Sequence, residues 1–306
     1  MSSTDRRPWL RVVPGAVSVI LLLWLCRSME LSALRAGLRQ LSVQALLLLC
    51  CAAMAATVVQ GIRFWLLFPG GLSLWRHLGL NFAVQAGNIL LPVRTGEFLR
   101  PFYMKAWNPQ ISLRALIGWT VADKIVELLA ALPLILGACA LLPAQLESLQ
   151  RWAWLLGIST TLLLIVVCVI TARRTALRNE PGRSFGRLLL AFPLSLLYWL
   201  MNYLIFWSVV PNARLALLLL LGVSFAAGVP ALPAGMGSYE AAFVWIGQIG
   251  SLPKEQLLAA ALVSHILQIA LSLLAGIAVF LRWGWPRASD VVAATSLGTA
   301  ADGETD

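Results

Sequence analysis

The feature that most limits what this chain can become is its succession of apolar runs, each about the length of a membrane crossing. A helix rises about 1.5 Å per residue and needs about 20 apolar residues to traverse the hydrocarbon core. Runs of that kind lie near residues 9–26, 43–68, 112–142, 152–171, 187–210, 213–231 and 255–281. They predict an all-α polytopic membrane protein. Charged residues make up 12 % of the chain and hydrophobic residues 60 %, whereas a soluble domain carries about 25 % charged residues. No segment is left over for a separate water-soluble domain.

Two stretches do not fit that ruler. One is 78–108, LGLNFAVQAGNILLPVRTGEFLRPFYMKAWN, and the other is 222–250, GVSFAAGVPALPAGMGSYEAAFVWIGQIG. Leu-Pro followed by glycine breaks each near its middle, and each half is too short to span. Such breaks survive only where protein or a water-filled cavity satisfies the freed backbone groups. Both stretches read as re-entrant, broken-helix hairpins. They also match each other. A shift of 141 positions lays Ala86, Gly87, Leu91, Pro92 and Gly96 on Ala227, Gly228, Leu232, Pro233 and Gly237. Without a gap it then pairs Lys124 with His265 and Glu127 with Gln268. The match predicts a duplicated core with halves at approximately 1–142 and 187–282, and 7–8 transmembrane helices according to whether one hairpin crosses completely. Residues 1–289 form one transmembrane domain on this reading, and the small, polar, acidic residues 290–306 form a disordered tail. Broken helices at corresponding places in two repeats point to a transporter's binding site.

The net charge of +10 would suggest nucleic acid in a soluble chain. Here it reads as basic residues flanking spans on the cytoplasmic side. Arg6, Arg7 and Arg11 precede the first run, no prompt A-x-A cleavage pattern closes it, and more spans follow. It therefore reads as an uncleaved span with a cytoplasmic N-terminus. The arginine-rich loop 172–187 reads as cytoplasmic and the nearly neutral loop 143–151 as external. The charges Arg63, Arg76, Arg94, Arg100, Lys105 and Arg114 place the mouth of the first hairpin on the cytoplasmic side. The five cysteines all lie in apolar runs with no CxxC, and His77 and His265 are the only histidines. Neither a disulfide framework nor a metal centre is expected. No nucleotide-binding motif occurs, so no cofactor is expected.

Charge inside the membrane marks the candidate site. Asp123 lies about 16 Å of helix rise into its span, near mid-membrane. It shares a helix face with Glu127, and Lys124 adjoins that face. Charges there must be paired or face water. The three sum to −1, so a basic partner is needed, and Arg94 or Arg100 on the neighbouring hairpin is the candidate. In that hairpin, which begins its charged half after Asn88, Thr95 is placed to cap an outgoing half-helix with Glu97 in its first turn. The free N–H groups, Arg94 and Arg100 would form an anion-binding pocket. Two plainer readings stand beside these: an ion cluster that only locks helices together, and arginines that only anchor to headgroups. The second hairpin offers Ser238, Tyr239 and Glu240 at the equivalent turn and no arginine. His265 and Gln268 are polar residues at mid-span.

Taken in order, LLPVRTGEFLRPFYM, a span bearing ADKIVELL, LPAGMGSYEAAF and a final long span resemble the lysylphosphatidylglycerol synthase transmembrane region, or flippase-like, family. Arg94, Gly96, Glu97 and Arg100 match its first hairpin directly, and Pro233, Gly235, Gly237 and Glu240 match its second. Asp123 and Lys124 stand where Glu-Arg is usual, and Glu127 where a nearby acid sits. Val93 replaces a glycine, and His265 stands where a second arginine is common. The resemblance implies an inner-membrane protein that moves charged phospholipids or glycolipids between leaflets. Its expected partners are membrane lipids with anionic or zwitterionic headgroups. The expected headgroup-binding residues are Asn88, Arg94, Glu97, Arg100, Asp123, Lys124, Glu127, Glu240 and His265, all but Asn88 at positions of the family's motifs. The aminoacyl-transfer domain of some relatives is absent from this chain. Two other function classes remain open. One is a membrane glycosyltransferase or other lipid-modifying enzyme, with Glu97 or Asp123 as base. The other is a non-catalytic partner of an envelope or hopanoid lipid pathway.

Overall fold

The computed structural model describes residues 31–68, 71–90, 96–140, 181–226 and 233–283, with isolated helical residues between 151 and 162. The expected span 9–26, most of the span 152–171, the turn holding Pro92, Arg94 and Thr95, and the C-terminal tail lie outside the described residues. Among the described residues every regular element is helical.

The helices are α1 (Leu31–Gln40), α2 (Val43–Leu67), α3 (Leu74–Leu90), α4 (Leu99–Trp107), α5 (Leu113–Ala140), α6 (Pro181–Val209), α7 (Ala213–Ala226), α8 (Ser238–Gly247) and α9 (Lys254–Trp283). Short 3₁₀ turns at Gly96–Phe98 and Pro233–Gly235 precede α4 and α8. Local chemistry sets several starts. The Ser42 hydroxyl accepts from the Ala45 N–H at 3.1 Å and Ser112 from Ala115 at 3.2 Å, while Asn212 Oδ1 accepts from Leu215 at 3.0 Å. Each supplies a partner for a backbone donor that a helix start leaves free. Val43–Leu67, Leu190–Val209 and Lys254–Trp283 are long and apolar enough to cross a membrane.

Adding 141 to the bounds of α2, α3, α4 and α5 gives 184–208, 215–231, 240–248 and 254–281, close to the bounds of α6, α7, α8 and α9. Packing follows the same correspondence. Helix α2 packs on α6, its own counterpart, and α3 packs on α9 as α7 packs on α5. Likewise α4 packs on α5 as α8 does on α9.

Among the described residues two main apolar cores result, with Leu67, Val126 and Ala191 forming a third, smaller one. One gathers Phe64, Leu80, Val84, Leu99 and Met104 around α2, α3 and α4. The other gathers Leu49, Phe206, Leu219, Phe243 and Leu258 from α2 and α6–α9. His77 lies between the rings of Phe64 and Phe68, with centroids 5.8 and 5.7 Å away.

Candidate functional site

The break between α3 and α4 brings the turn at Gly96 directly onto the backbone of α3. A Cβ at Gly96 would collide with the carbonyl oxygen of Val84 and with backbone atoms of Gly87 and Asn88. Only glycine permits that approach. The result sets Glu97 beside Asn88, whose amide donates to Glu97 Oε1 at 3.4 Å.

Asp123 is the centre of the ion network. Arg63 grips it with two parallel bonds, Nε to Oδ1 at 2.7 Å and Nη2 to Oδ2 at 3.1 Å. Such paired geometry is where a guanidinium surpasses an ammonium. Arg63 Nη2 also donates to Glu127 Oε2, and its Nη1 donates to Ser195 Oγ at 3.2 Å. Arg100 approaches Asp123 from the other side, Nη1 to Oδ2 at 2.9 Å, and donates through Nη2 to Asn81 Oδ1 at 2.6 Å. Lys124 Nζ bridges Glu97 Oε1 at 3.2 Å and Glu127 Oε2 at 3.3 Å. The guanidinium of Arg100 lies over the Phe64 ring, 4.6 Å from its centroid.

Three carboxylates therefore meet three cations, and the cluster is neutral. Neutrality decides whether it can exist. An isolated buried charge is costly, and a buried pair is tolerated only when its remaining hydrogen-bonding capacity is met. Amides meet it here. Asn81 Nδ2 donates to the Thr57 carbonyl at 2.7 Å and to Gln60 Oε1 at 3.1 Å, and Gln60 in turn donates to Glu127 at 3.3 Å.

Exposure divides the cluster into two layers. Arg63, Arg100 and Asp123 are 0 % exposed. The side chains of Lys124, Glu97 and Glu127 keep 34, 26 and 14 % and line a cavity of about 450 Å³. Asn88 and Gln85 of α3 share that wall with Trp199 and Asn202 of α6, and Ala234, Tyr239, His265 and Gln268 line it as well. His265 Nδ1 lies 2.7 Å from Glu240 Oε1, and its Nε2 lies 3.1 Å from the Ala234 carbonyl. Glu240 Oε2 accepts from the Gly237 N–H at 2.7 Å. Among the described residues no group of His, Cys, Asp and Glu is arranged to hold a metal ion.

A family model described as "Lysylphosphatidylglycerol synthase TM region" matches residues 11–276. The chain belongs to this family. It is accordingly a membrane protein of lipid and envelope metabolism. No curated protein matches the chain.

Of the expected site residues, the structure joins Asn88, Glu97, Arg100, Asp123, Lys124 and Glu127 in one network and pairs Glu240 directly with His265. The expected contact of Arg100 with Asp123 is present, while Arg94 lies outside the described residues. The main residue that sequence reasoning missed is Arg63. It looked like a charge flanking a span, yet it is wholly buried as the principal partner of Asp123. Lys105 was likewise counted as a loop charge. It is buried, and its ammonium donates to the carbonyls of Pro109 and Ile111 at 2.6 and 3.1 Å. Neither can serve as a marker of sidedness. A signal for the missed residues existed: Thr57, Gln60 and Arg63 recur every three residues on α2, and Asn81, Gln85 and Asn88 recur at helical spacing on α3.

Proposed function

We propose that the protein is a flippase-like transporter that moves a polar lipid headgroup between leaflets through this cavity, in cell-envelope lipid metabolism. The observation that carries the reading is a cavity inside a membrane bundle with ionisable side chains from both halves on its wall. Intramembrane ionisable groups that face a cavity, rather than only each other, mark a substrate path. Asn88, Glu97, Lys124, Glu127 and His265 are its headgroup contacts. Arg100, Asp123 and Glu240 hold those contacts in place, and Arg94 adds a cation at the turn.

Two acceptors, Asn88 Oδ1 and Glu97 Oε2, are buried without a hydrogen-bond partner among the described residues. Glu97 Oε2 does face the guanidinium of Arg100, 3.6 Å from its Nε, a contact that holds the carboxylate beside the cavity. Asp123 spends both oxygens on Arg63 and Arg100, which favours transport over an enzyme that would use it as a base.

We read 78–108 and 222–250 as re-entrant hairpins of a duplicated core, in an inner-membrane protein of 7–8 spans with a cytoplasmic N-terminus. The single offset that relates four consecutive helices, and the pairing of each helix contact with its counterpart, support the duplication. The test is reconstitution in liposomes with labelled lipids whose headgroups carry a polyol, an amine or a bare phosphate. Inward and outward movement should exceed that of protein-free vesicles and should fall at least tenfold with Asn88→Ala. Equal rates with and without protein for every headgroup would overturn the reading.

A further inference from the structure

We propose that His265, Glu240 and the carbonyl of Ala234 form a proton-binding site, and that the proton it holds controls the turn 233–237 on the cavity wall. The inference rests on the transport reading for its consequence, and on separate geometry for the site itself. Both ring nitrogens of His265 face acceptors: a carboxylate oxygen at 2.7 Å and a backbone carbonyl at 3.1 Å. A neutral imidazole has one N–H and can satisfy only one of them. The doubly protonated ring satisfies both. When Nδ1–H keeps its bond to Glu240, the proton that comes and goes is the one on Nε2, and its loss sets a lone pair against the Ala234 oxygen.

That oxygen belongs to a strained turn. Ala234 has φ 64°, a left-handed conformation that a side chain disfavours, and Gly235 and Gly237 follow at 77° and 85°. The Nε2–H bond helps hold Ala234 there. Glu240 fastens the far end of the same turn through the Gly237 N–H. The Tyr239 ring stacks on His265 with centroids 4.1 Å apart, and its hydroxyl is tied to Ser264 at 3.0 Å. The stack restrains the ring from following a displaced carbonyl. The other ionisable groups on the cavity are Glu97 from the turn before α4, Lys124 and Glu127 from α5, and Tyr198 from α6. Helices α2, α3 and α7 present only uncharged side chains to it. Where the first half places Lys124, the second places a histidine, the residue whose charge ordinarily changes between about pH 5 and 8. Proton release would free the turn, and lipid movement would be linked to a proton.

The chain has two histidines, so ¹⁵N-histidine NMR of the reconstituted protein can read each ring, with the His265→Gln spectrum identifying the signals of His77. Spectra at pH 5 and at pH 8 read the two ring nitrogens separately, and a proton site of this kind shows both nitrogens protonated in one sample and Nε2 bare in the other. Over the same range, hydrogen exchange in 233–237, corrected for its intrinsic pH dependence, should rise at least tenfold. In His265→Gln the exchange should be flat with pH. A ring that keeps one proton throughout, or a turn indifferent to pH, overturns the proton site. Lipid movement measured on the same samples separates the two readings. Movement equally fast at both pH values in the wild type overturns the proton linkage and leaves transport standing. A titrating ring and an opening turn in a protein that moves no lipid would leave the proton site standing and overturn transport.

Discussion

The regions α2–α5 and α6–α9, the two halves of the duplication proposed above, differ in how they treat charge. In the first half Arg63, Arg100 and Asp123 form the buried layer of a six-charge network. The positions 141 residues further on hold Leu204, Ala241 and Ser264. All three charges are missing together, and none is left alone. Physics requires this of a buried cluster. Replacing a whole ionic set by packed or hydroxyl side chains is tolerated, whereas removing one member strands a charge. The second half has its own smaller device, Glu240 with His265, anchored to a backbone turn and not to arginine. The first region is thus held by arginine–carboxylate pairs, and the second by a histidine–carboxylate pair tied to a backbone turn.

The sharpest way to break this contrast is Arg63→Gln. It leaves Asp123 short of its two-bond partner and the cluster at −1. A loss of about 3–5 kcal/mol is expected, read as lower folded yield and a lower unfolding temperature in detergent. Asp123→Asn and Arg100→Gln should each be harmful, and their combination milder than either, because the pair leaves the rest neutral. Losses that simply add would show that the network is not coupled.

Next in size is Gly96→Ala, at up to about 3 kcal/mol, because the new methyl meets backbone that cannot give way. Gly237→Ala tests the equivalent turn for a different reason, its φ of 85°. Disulfide crosslinking between α3 and α4 should lose efficiency in the first variant and not in the second. Glu240→Gln should cost only about 1 kcal/mol, since one hydrogen bond to Gly237 and one to His265 are weakened and no large cluster is unbalanced. Its effect should appear in hydrogen exchange of the turn before it appears in thermal unfolding. Smallest of all is Gly118→Ala. An added methyl there meets nothing, and replacing a glycine inside helix α5 should stabilise by about 0.5–1 kcal/mol at most.

Much of this organisation was legible in the sequence because membrane crossing leaves so few options. The runs at 43–68, 112–142, 187–210 and 255–281 became α2, α5, α6 and α9. Pro92 and Pro233 marked the expected breaks; Pro233 opens the short 3₁₀ turn before α8, whereas Pro133 and Pro193 lie inside the continuous helices α5 and α6. The site was half legible. Asp123 announced itself because an acid at mid-span must have a partner, and Arg100 was within reach of the argument. Arg63 was not, because it lies near the end of its apolar run, where an arginine normally reaches for water. Which of those alternatives holds depends on the packing of α2 against α5 and α6, and that is a tertiary fact. The neutrality of the cluster followed from the same missing residue, as did the division between a buried layer and a cavity-facing one.

The central claim is that a lipid headgroup enters the cavity and meets both halves there. A photoreactive headgroup on a labelled lipid, activated in proteoliposomes and mapped by mass spectrometry, tests it most directly. Crosslinks should appear together on Asn88 or Glu97 from the first half and on Gln268 or His265 from the second, and should diminish with excess unlabelled lipid. Crosslinks confined to outward-facing residues such as Trp75, Leu274 and Leu281, with none inside the cavity, would contradict it.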